Sequence, residues 1–193
     1  MPITIRKLTP DLAHDYAHFF DVTPHDEGID AHKCYCVCWC SEDAEGKDFS
    51  TAEKRRQIAI DYVERGILQG YLAYEGDAIV GWCNANTKAE CFKCVSWRRF
   101  MDYVPPDEGA RVKSVFCFVI APEKQRQGIA TQLLERVCAD AACDGFEAVE
   151  AYPYKAESFQ SSGFGGYAVM YERLGFEVTA ETENGLIMRK RFA

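Results

Sequence analysis

The sequence predicts one domain of mixed α/β fold spanning residues 1–193. A length of 193 residues suits a single ordinary domain. Hydrophobic residues make up 48% and aromatic residues 13% of the chain, enough to bury a substantial core. Strand-like apolar runs alternate with amphipathic helical segments, and the clearest example is the run 115–120 followed by a helical stripe from Ile129. No internal repeat or linker divides the chain.

The N-terminal half contains two predicted helices and a predicted hairpin. Ser50-Thr51-Ala52-Glu53 matches a capping box, so a helix is expected to begin there. Turn-forming residues at 75–77 separate two apolar runs, which is typical of a β-hairpin. Residues 84–110 show little periodicity, and a long loop of this kind is often a binding element. The predicted elements of this half are a strand at 3–8, a helix at 11–20, a helix from 50 onward, and strands at 71–74 and 79–83.

The C-terminal half begins with a predicted central strand. The run 115–120 is apolar at every position, as expected for a strand that is covered on both faces. Apolar residues from Ile129 to Ala141 then recur at helical spacing, and Gly145 marks the predicted helix end. The remaining predicted elements are a strand at 146–152, a short helix at 167–174, and a terminal hairpin of strands 176–179 and 186–189 around Asn184-Gly185.

Charge and composition restrict the class of partner. The formal net charge is −8 and the sequence pI is about 5.1, which argues against nucleic acid or an anionic membrane as the main partner. Small molecules are therefore favoured, and the overall field would attract a cationic substrate. The N-terminus turns polar at once and no segment approaches a membrane span, so we expect a cytoplasmic protein whose ten cysteines are mostly reduced. Monomer and homodimer are both left open.

Residues 125–130, Gln-Arg-Gln-Gly-Ile-Ala, form the most informative stretch of the chain. They lie between the apolar run 115–120 and the amphipathic helix. A strand, a tight glycine loop and a helix in this order aim backbone N–H groups and a positive helix end at an anion. The chain has no Gly-Lys-Ser or Gly-Lys-Thr and no dinucleotide fingerprint, which excludes a nucleotide-hydrolysing P-loop. The stretch therefore predicts a different phosphate-bearing ligand.

Two motifs carry a resemblance to a known family. Gln125-x-x-Gly128-x-Ala130 after a buried strand resembles the acetyl-CoA-binding motif of the GNAT acyltransferase superfamily. The residues 171–176, Tyr-Glu-Arg-Leu-Gly-Phe, resemble the late helix-to-strand signature of that family, and the order of the elements agrees over nearly the whole chain. The resemblance implies a GNAT-like fold with a mixed, mostly antiparallel, splayed sheet flanked by helices. It also implies transfer of an acetyl group from acetyl-CoA to an amine of a small molecule or peptide by direct attack.

A narrower bacterial branch of the superfamily is also similar to this chain. The shared segments are Cys-x-Cys-x-x-Trp at Cys34, Cys36 and Trp39, Gly-Trp-Cys at 81–83, and Tyr-Pro at 152–153. One departure concerns Arg126, because the family loop often has glycine at this position. The arginine adds a positive charge beside the phosphates or distorts the turn, and the sequence leaves both alternatives open.

The resemblance implies a set of donor-binding residues. In the family, the central strand splays from its neighbour and its backbone N–H groups hold the pantetheine arm and the carbonyl. That stretch is here Phe118, Val119 and Ile120. The loop that would cradle the pyrophosphate comprises Gln125, Arg126, Gln127, Gly128, Ile129, Ala130 and Thr131.

Two residues are candidates for proton transfer. Tyr171 lies four residues before Gly175, where the family often places a tyrosine that protonates the departing thiolate. A phenol with a pKa near 10 stays protonated at neutral pH and can serve as this acid. The alternative for Tyr171 is a packing aromatic. Glu150, on the next strand, is the candidate base because residues 112–120 contain no acid. The alternative for Glu150 is a salt-bridged acid, and in that case water would carry the proton away from the amine.

The alternating cysteines Cys34, Cys36, Cys38 and Cys40 invite a metal-site interpretation. In an extended strand, however, residues i and i+2 lie about 6.6 Å apart. Two thiolates on one zinc ion can be at most about 4.6 Å apart. A turn in the segment could bring the thiolates closer together, and Cys91-x-x-Cys94 could contribute ligands. Buried thiols that pack a substrate-side wall are nevertheless the favoured interpretation. A cysteine-based redox or soft-metal sensor, and a CoA-binding module without turnover, stay open as rival functions. The acceptor site is expected to involve the regions 34–40, 84–110 and 154–166.

Overall fold

A seven-stranded sheet organises the residues described by the computed structural model, which are 2–24, 28–40, 43, 45–94, 96–97, 104–153, 164–182 and 185–192. The strands are β1 (Ile3–Lys7), β2 (Gly70–Glu75), β3 (Ala78–Thr87), β4 (Val112–Ile120), β5 (Ala148–Ala151), β6 (Glu177–Glu181) and β7 (Leu186–Arg191). The α-helices are α1 (Ala13–Val22), α2 (Ala52–Glu64), α3 (Ile129–Cys143) and α4 (Ala168–Arg173). The strand order is β1-β2-β3-β4-β5-β7-β6, and only the β4–β5 pair is parallel. The predicted mixed, mostly antiparallel sheet is confirmed.

Two apolar cores cover the two faces of the sheet. One core packs α1 and α2 against one face, and the other packs α3 and α4 against the opposite face. Neighbouring residues of β3 show the alternation directly, since Trp82 belongs to the first core and Cys83 to the second. On β4, Cys117 and Phe118 divide in the same way. The prediction that 115–120 forms a central strand covered on both faces is confirmed.

A β-bulge and a short neighbour open the sheet beside β4. Cys117 pairs with Asn84 and Val115 pairs with Ala85, so Phe116 is an extra residue on β4. On the other side, β5 pairs only with the first four residues of β4, and the register ends at Val115 and Ala151. In the described part of the chain, no strand pairs with the second half of β4 on this side, which is here called the free edge of β4.

The predicted boundaries differ from the structure where buried polar residues interrupt the apolar pattern. Residues 84–87 were expected in a loop, but β3 continues to Thr87. The reason is that Asn84 and Asn86 are buried with their amides satisfied: Asn84 Nδ2 donates to the Trp39 carbonyl at 2.7 Å and Asn86 Nδ2 donates to Asn84 Oδ1 at 2.9 Å.

Helix α2 begins where the capping motif predicts, with a different capping residue. Thr51 is the N-cap, and its Oγ1 accepts from the Lys54 N–H at 3.2 Å. The terminal hairpin of β6 and β7 is present, and its predicted turn residue Asn184 lies outside the described residues. In the part of the chain that the structure describes, no helix has the length and apolar character to cross a membrane.

Candidate active site

A cleft of about 890 Å³ opens at the free edge of β4. Its floor is the last part of β4, one wall is the loop that leads into α3, and the opposite wall is α4 with the residues before it. Its rim comes from the end of α1 and the segment after it. The lining residues from β4 and the α3 loop are Phe118, Val119, Ile120, Pro122, Lys124, Gln125, Arg126, Gly128, Ile129, Ala130 and Thr131. Those from the other walls are Phe20, Thr23, Pro24, Gly28, Lys33, Cys34, Phe164, Gly166, Tyr167, Val169, Met170 and Arg173.

The structure thus brings nine of the ten predicted donor-binding residues to one cleft. The exception is Gln127, which is exposed and donates its Nε2 to the Glu123 carbonyl at 3.0 Å. Gln125 turns back toward β4, where its Nε2 lies 3.4 Å from the Ile120 carbonyl oxygen. That these residues bind a ligand stays a prediction, and it is supported by the fact that nine of them line the same cavity.

Gly128 positions the N-terminus of α3 at the cleft. It is the N-cap residue with φ +79°, a left-handed conformation that glycine adopts without steric cost. Its carbonyl accepts from the Gln132 N–H at 3.0 Å, so the N–H groups of residues 129–131 precede the first intrahelical hydrogen bond. Free N–H groups and the positive end of a 15-residue helix make this wall suited to an anion.

Arg126 adopts the left-handed backbone of the turn, with φ +61°. The turn therefore forms in spite of the arginine, and the side chain stands exposed at the cleft. Arg173 lines the opposite wall and is also exposed. Lys124, by contrast, forms an ion pair with Glu75 at 2.6 Å. The two arginines supply positive charge on both sides of the cleft in a chain whose net charge is −8.

Tyr171 is fully buried beside the cleft and is not among the described lining residues. Its hydroxyl donates to the Gly165 carbonyl at 2.7 Å, and its ring packs on Phe118 and Phe176 with centroids 6.5 and 5.3 Å away. Burial raises the pKa of Tyr171 well above its ordinary value of 10.0. The phenol is therefore protonated at neutral pH, as a general acid requires. Its catalytic role stays a prediction.

Glu150 lies in a buried cluster of two carboxylates and two cations. The Lys88 Nζ is 2.8 Å from Glu150 Oε1, Arg189 donates to Glu150 Oε2, and the Tyr152 hydroxyl donates to Oε1 at 2.8 Å. Asp107 completes the cluster at 2.6 Å from both Lys88 and Arg189. Burial alone would raise the pKa of Asp107, but hydrogen bonds from Arg189 and Lys88 outweigh it and lower the pKa. The arrangement favours the salt-bridged alternative for Glu150 over the base.

Replacement of Glu150 by glutamine (Glu150→Gln) is expected to lower the free energy of unfolding by about 3 kcal/mol. The buried Lys88 and the half-buried Arg189 would then face one carboxylate, that of Asp107. Chemical denaturation measures the loss, with Glu53→Gln on the exposed face of α2 as a control expected to change stability by less than about 0.5 kcal/mol. A variant of undiminished stability that loses the acidic limb of its pH–rate profile would instead identify Glu150 as the base.

The cysteine-rich segment forms a turn rather than the extended strand assumed from the alternation. Tyr35 and Cys36 have φ values of +47° and +54°, and the Trp39 N–H donates to the Cys36 carbonyl at 3.1 Å. Cys36 and Cys40 are buried in the core under α1 and α2, whereas Cys34 is half-buried at the cleft. In the described parts of the chain, no three or more His, Cys, Asp or Glu residues come together as a metal site would require.

Aromatic side chains gather where the acceptor region was predicted. Phe116, the bulged residue of β4, stacks on Trp39 at 4.6 Å and on Tyr152 at 5.3 Å between ring centroids. Trp97 packs edge-on against Phe116 at 5.8 Å. Residues 98–103 and 154–163 of the predicted acceptor regions lie outside the described residues.

The rim formed by α1 and the segment after it was missed by sequence reasoning. Phe20, Thr23 and Lys33 reach the cleft through the packing of α1 on the sheet, about a hundred residues before the α3 loop. No local motif marks them, because their position depends on long-range contacts. Arg173 could have been predicted at the cleft from the sequence, since it lies within the segment 171–176 that resembles the family signature.

Solved structures share this fold along the whole chain. The PaiA N-acetyltransferase from Thermoplasma acidophilum, in complex with coenzyme A, is 14% identical with a TM-score of 0.54, and the match covers 100% of both chains. An acetyltransferase of the GNAT family from Streptococcus pneumoniae is 16% identical with a TM-score of 0.55 and the same coverage. The ribosomal-protein-S5-alanine acetyltransferase from Vibrio fischeri is 13% identical with a TM-score of 0.56, covering 98% of this chain and 92% of that one.

Sequence comparison identifies the family. A comparison with curated proteins found no match. A family model described as an acetyltransferase (GNAT) domain matches residues 68–178, more than half of the chain. The matched region runs from the start of β2 to β6 and contains the α3 loop and Tyr171. The narrower branch with the Cys-x-Cys-x-x-Trp segment stays a prediction. The chain belongs to the GNAT acetyltransferase family.

Proposed function

We propose that this protein is an N-acetyltransferase that transfers the acetyl group of acetyl-CoA to an amine of a small molecule or peptide. One observation carries the proposal: a single cleft joins the free edge of β4 to the N-terminus of α3. The first feature suits a chain of amide groups and the second suits a diphosphate. Coenzyme A carries both chemistries in one molecule, and a cleft of about 890 Å³ is of the size that small-molecule sites have.

The donor would lie along the cleft with its two halves on different elements. The pantetheine arm would pair with the backbone of Phe118–Ile120, as an extended peptide adds to a sheet edge. The pyrophosphate would accept from the N–H groups of residues 128–131 at the start of α3. Arg126 and Arg173 would add positive charge from the two walls.

The reaction needs no covalent enzyme intermediate. A neutral amine attacks the thioester carbonyl carbon, a C–N bond forms and the C–S bond breaks. A backbone N–H of β4 would stabilise the negative charge that develops on the carbonyl oxygen. The departing thiolate would take the proton of the Tyr171 hydroxyl, which burial keeps protonated, and water would return a proton to the phenolate before the next turnover. The proton lost by the amine would leave through water, because both Glu150 oxygens already have partners.

The proposal is tested by following CoA thiol release from acetyl-CoA with a panel of amines. Mass spectrometry of the product should detect an added acetyl group on the amine nitrogen. Cationic amines are expected to react best, since the chain carries a net charge of −8. Tight acetyl-CoA binding without turnover of any amine would contradict the enzyme and leave a CoA-binding module. A cytoplasmic location, and a monomer or homodimer, are part of the same proposal.

Replacement of Arg126 by glycine (Arg126→Gly) is expected to raise the KM for acetyl-CoA about fivefold, the loss of one partly exposed charge contact. Stability should change by less than about 1 kcal/mol, because relief of the left-handed backbone is offset by the greater freedom of glycine in the unfolded chain. Steady-state kinetics and urea unfolding measure both. Arg126→Asn, which tolerates this backbone but lacks the charge, should share the higher KM. A KM that rises in Arg126→Gly alone would assign the effect to the turn.

A further inference from the structure

Residues Phe164–Gly166, here called the strap, connect the free edge of β4 to Tyr171. The Phe118 N–H donates to the Phe164 carbonyl at 2.7 Å. The next carbonyl, that of Gly165, accepts from the Tyr171 hydroxyl at 2.7 Å. Phe164 and Gly166 both line the cleft. Two consecutive carbonyls of the strap therefore accept hydrogen bonds from two different groups, one from the backbone of β4 and one from the proposed acid.

The Phe118 N–H is the group that an extended ligand would meet first on this edge. β5 ends opposite Val115, and the Phe118 N–H points away from its β3 partner Cys83 into the gap. Backbone groups of residues i and i+2 face the same side of a strand. The Ile120 carbonyl faces this gap as well, since Gln125 reaches it there. Among the residues that the structure describes, no strand pairs with this edge, and the strap holds one of its positions.

We propose that the strap is an autoinhibitory latch that must leave the β4 edge before the amide arm of the donor can pair with it. The inference rests on the proposed function, and it adds that binding of the donor arm to β4 is coupled to release of the Tyr171 hydroxyl. Release of the strap vacates the Phe118 N–H and at the same step detaches the Tyr171 hydroxyl from Gly165. The acid thus becomes free to move toward the cleft only when the donor arm has taken the place of the strap.

Glycine is required for the closed position of the strap. A Cβ atom on Gly165 would lie 2.5 Å from the Tyr152 carbonyl oxygen, which is closer than real Cβ contacts. The obstacle is backbone, so it cannot turn aside as a side chain would. Gly166 has φ +76°, which also favours glycine. Gly165→Ala therefore destabilises the closed strap and should leave the open form populated.

The latch predicts a specific pattern of affinities. When only a fraction of the protein is in the binding-competent state, the observed affinity for the ligand is reduced by that fraction. Gly165→Ala is therefore expected to bind CoA about tenfold more tightly than the wild-type protein, because the hydrogen bonds that hold the strap closed no longer compete with the ligand. Adenosine 3′,5′-bisphosphate, which lacks the pantetheine arm, should bind both proteins equally.

Isothermal titration of the full chain with CoA and with adenosine 3′,5′-bisphosphate tests this pattern. Gly175→Ala is the matched control, because Gly175 is at the other end of α4, has φ +81° and has open space around its Cβ position. Equal CoA affinity of Gly165→Ala and wild-type protein, with turnover intact, would overturn the latch alone. Failure of CoA to bind the wild-type protein would overturn the proposed function together with the latch.

A measurement on the wild-type chain keeps the latch testable if Gly165→Ala does not fold. With ¹⁵N and ¹³C-carbonyl phenylalanine, a scalar coupling across the hydrogen bond should join the Phe118 nitrogen to the Phe164 carbonyl carbon. Saturating CoA is expected to abolish this coupling. A coupling that persists in the CoA complex would show that the strap stays on β4, and would overturn the latch.

Discussion

Tyr171→Phe is expected to lower kcat by about 10²–10⁴-fold, the range for loss of a positioned general acid. The phenol is buried with a pKa raised well above 10.0, so it holds its proton throughout the neutral range. Phenylalanine keeps the ring contacts with Phe118 and Phe176 but has no proton to give. Stopped-flow or steady-state detection of CoA thiol release measures the change.

The control for this variant is a buried tyrosine outside the cleft. Tyr74 on β2 is buried, is not among the described lining residues, and its hydroxyl has no hydrogen-bond partner among the described residues. We expect Tyr74→Phe to keep kcat within about threefold, because it removes a hydroxyl away from the cleft and keeps the ring. Unchanged kcat in Tyr171→Phe would remove the assigned acid and leave Tyr171 as a packing aromatic.

A rise in pH from 7 to 10 is expected to reduce the free energy of unfolding steeply. The pKa of five buried thiols lies above the ordinary value of 9.0. Burial raises it at Cys36, Cys83, Cys91 and Cys138, and at Cys117 the lowering of the pKa by a hydrogen bond from Cys36 is outweighed by burial and neighbouring thiols. Above pH 9 the unfolded chain loses these protons while the folded chain keeps them. Unfolding is therefore favoured as pH rises, by about 1.4 kcal/mol per thiol for each pH unit above 9. Stability from these groups is complete below pH 9.

Urea unfolding under reducing conditions at pH 7, 9 and 10 measures this dependence. Cys36→Ala should have a shallower loss between pH 9 and 10, because one buried thiol is gone from the titration. Cys143→Ala, at an exposed position, is the matched control and should follow the wild-type slope. Stability that is flat from pH 7 to 10 would contradict the view of these cysteines as buried neutral thiols.

Periodicity predicted most of the fold because it reports which residues are buried. The run 115–120 and the stripe from Ile129 to Ala141 are apolar where the structure buries them, and both were assigned correctly. The end of β3 was missed because Asn84 and Asn86 read as loop residues. Their burial depends on the Trp39 carbonyl, which is more than forty residues away.

The donor side of the candidate site was accessible to sequence reasoning because it is local. A strand, a glycine and a helix in succession place backbone N–H groups together whatever surrounds them, and Gly128 caps α3 in that way. The surroundings of the candidate base Glu150 were less accessible. Glu150 is on the predicted strand, but only strand pairing brings Arg189 beside it and only the fold adds Lys88 and Asp107.

The sequence by itself determined most element types, the glycine loop 125–131 at the start of α3 and the family of the chain, because these depend on residues close together along it. Tertiary structure alone decided that β5 stops opposite Val115, that Phe116 bulges, and that the strap holds both Phe118 and Tyr171. Hydrogen bonds act over about 3 Å. Pairs far apart in sequence therefore meet only after sheet register and helix packing have placed them.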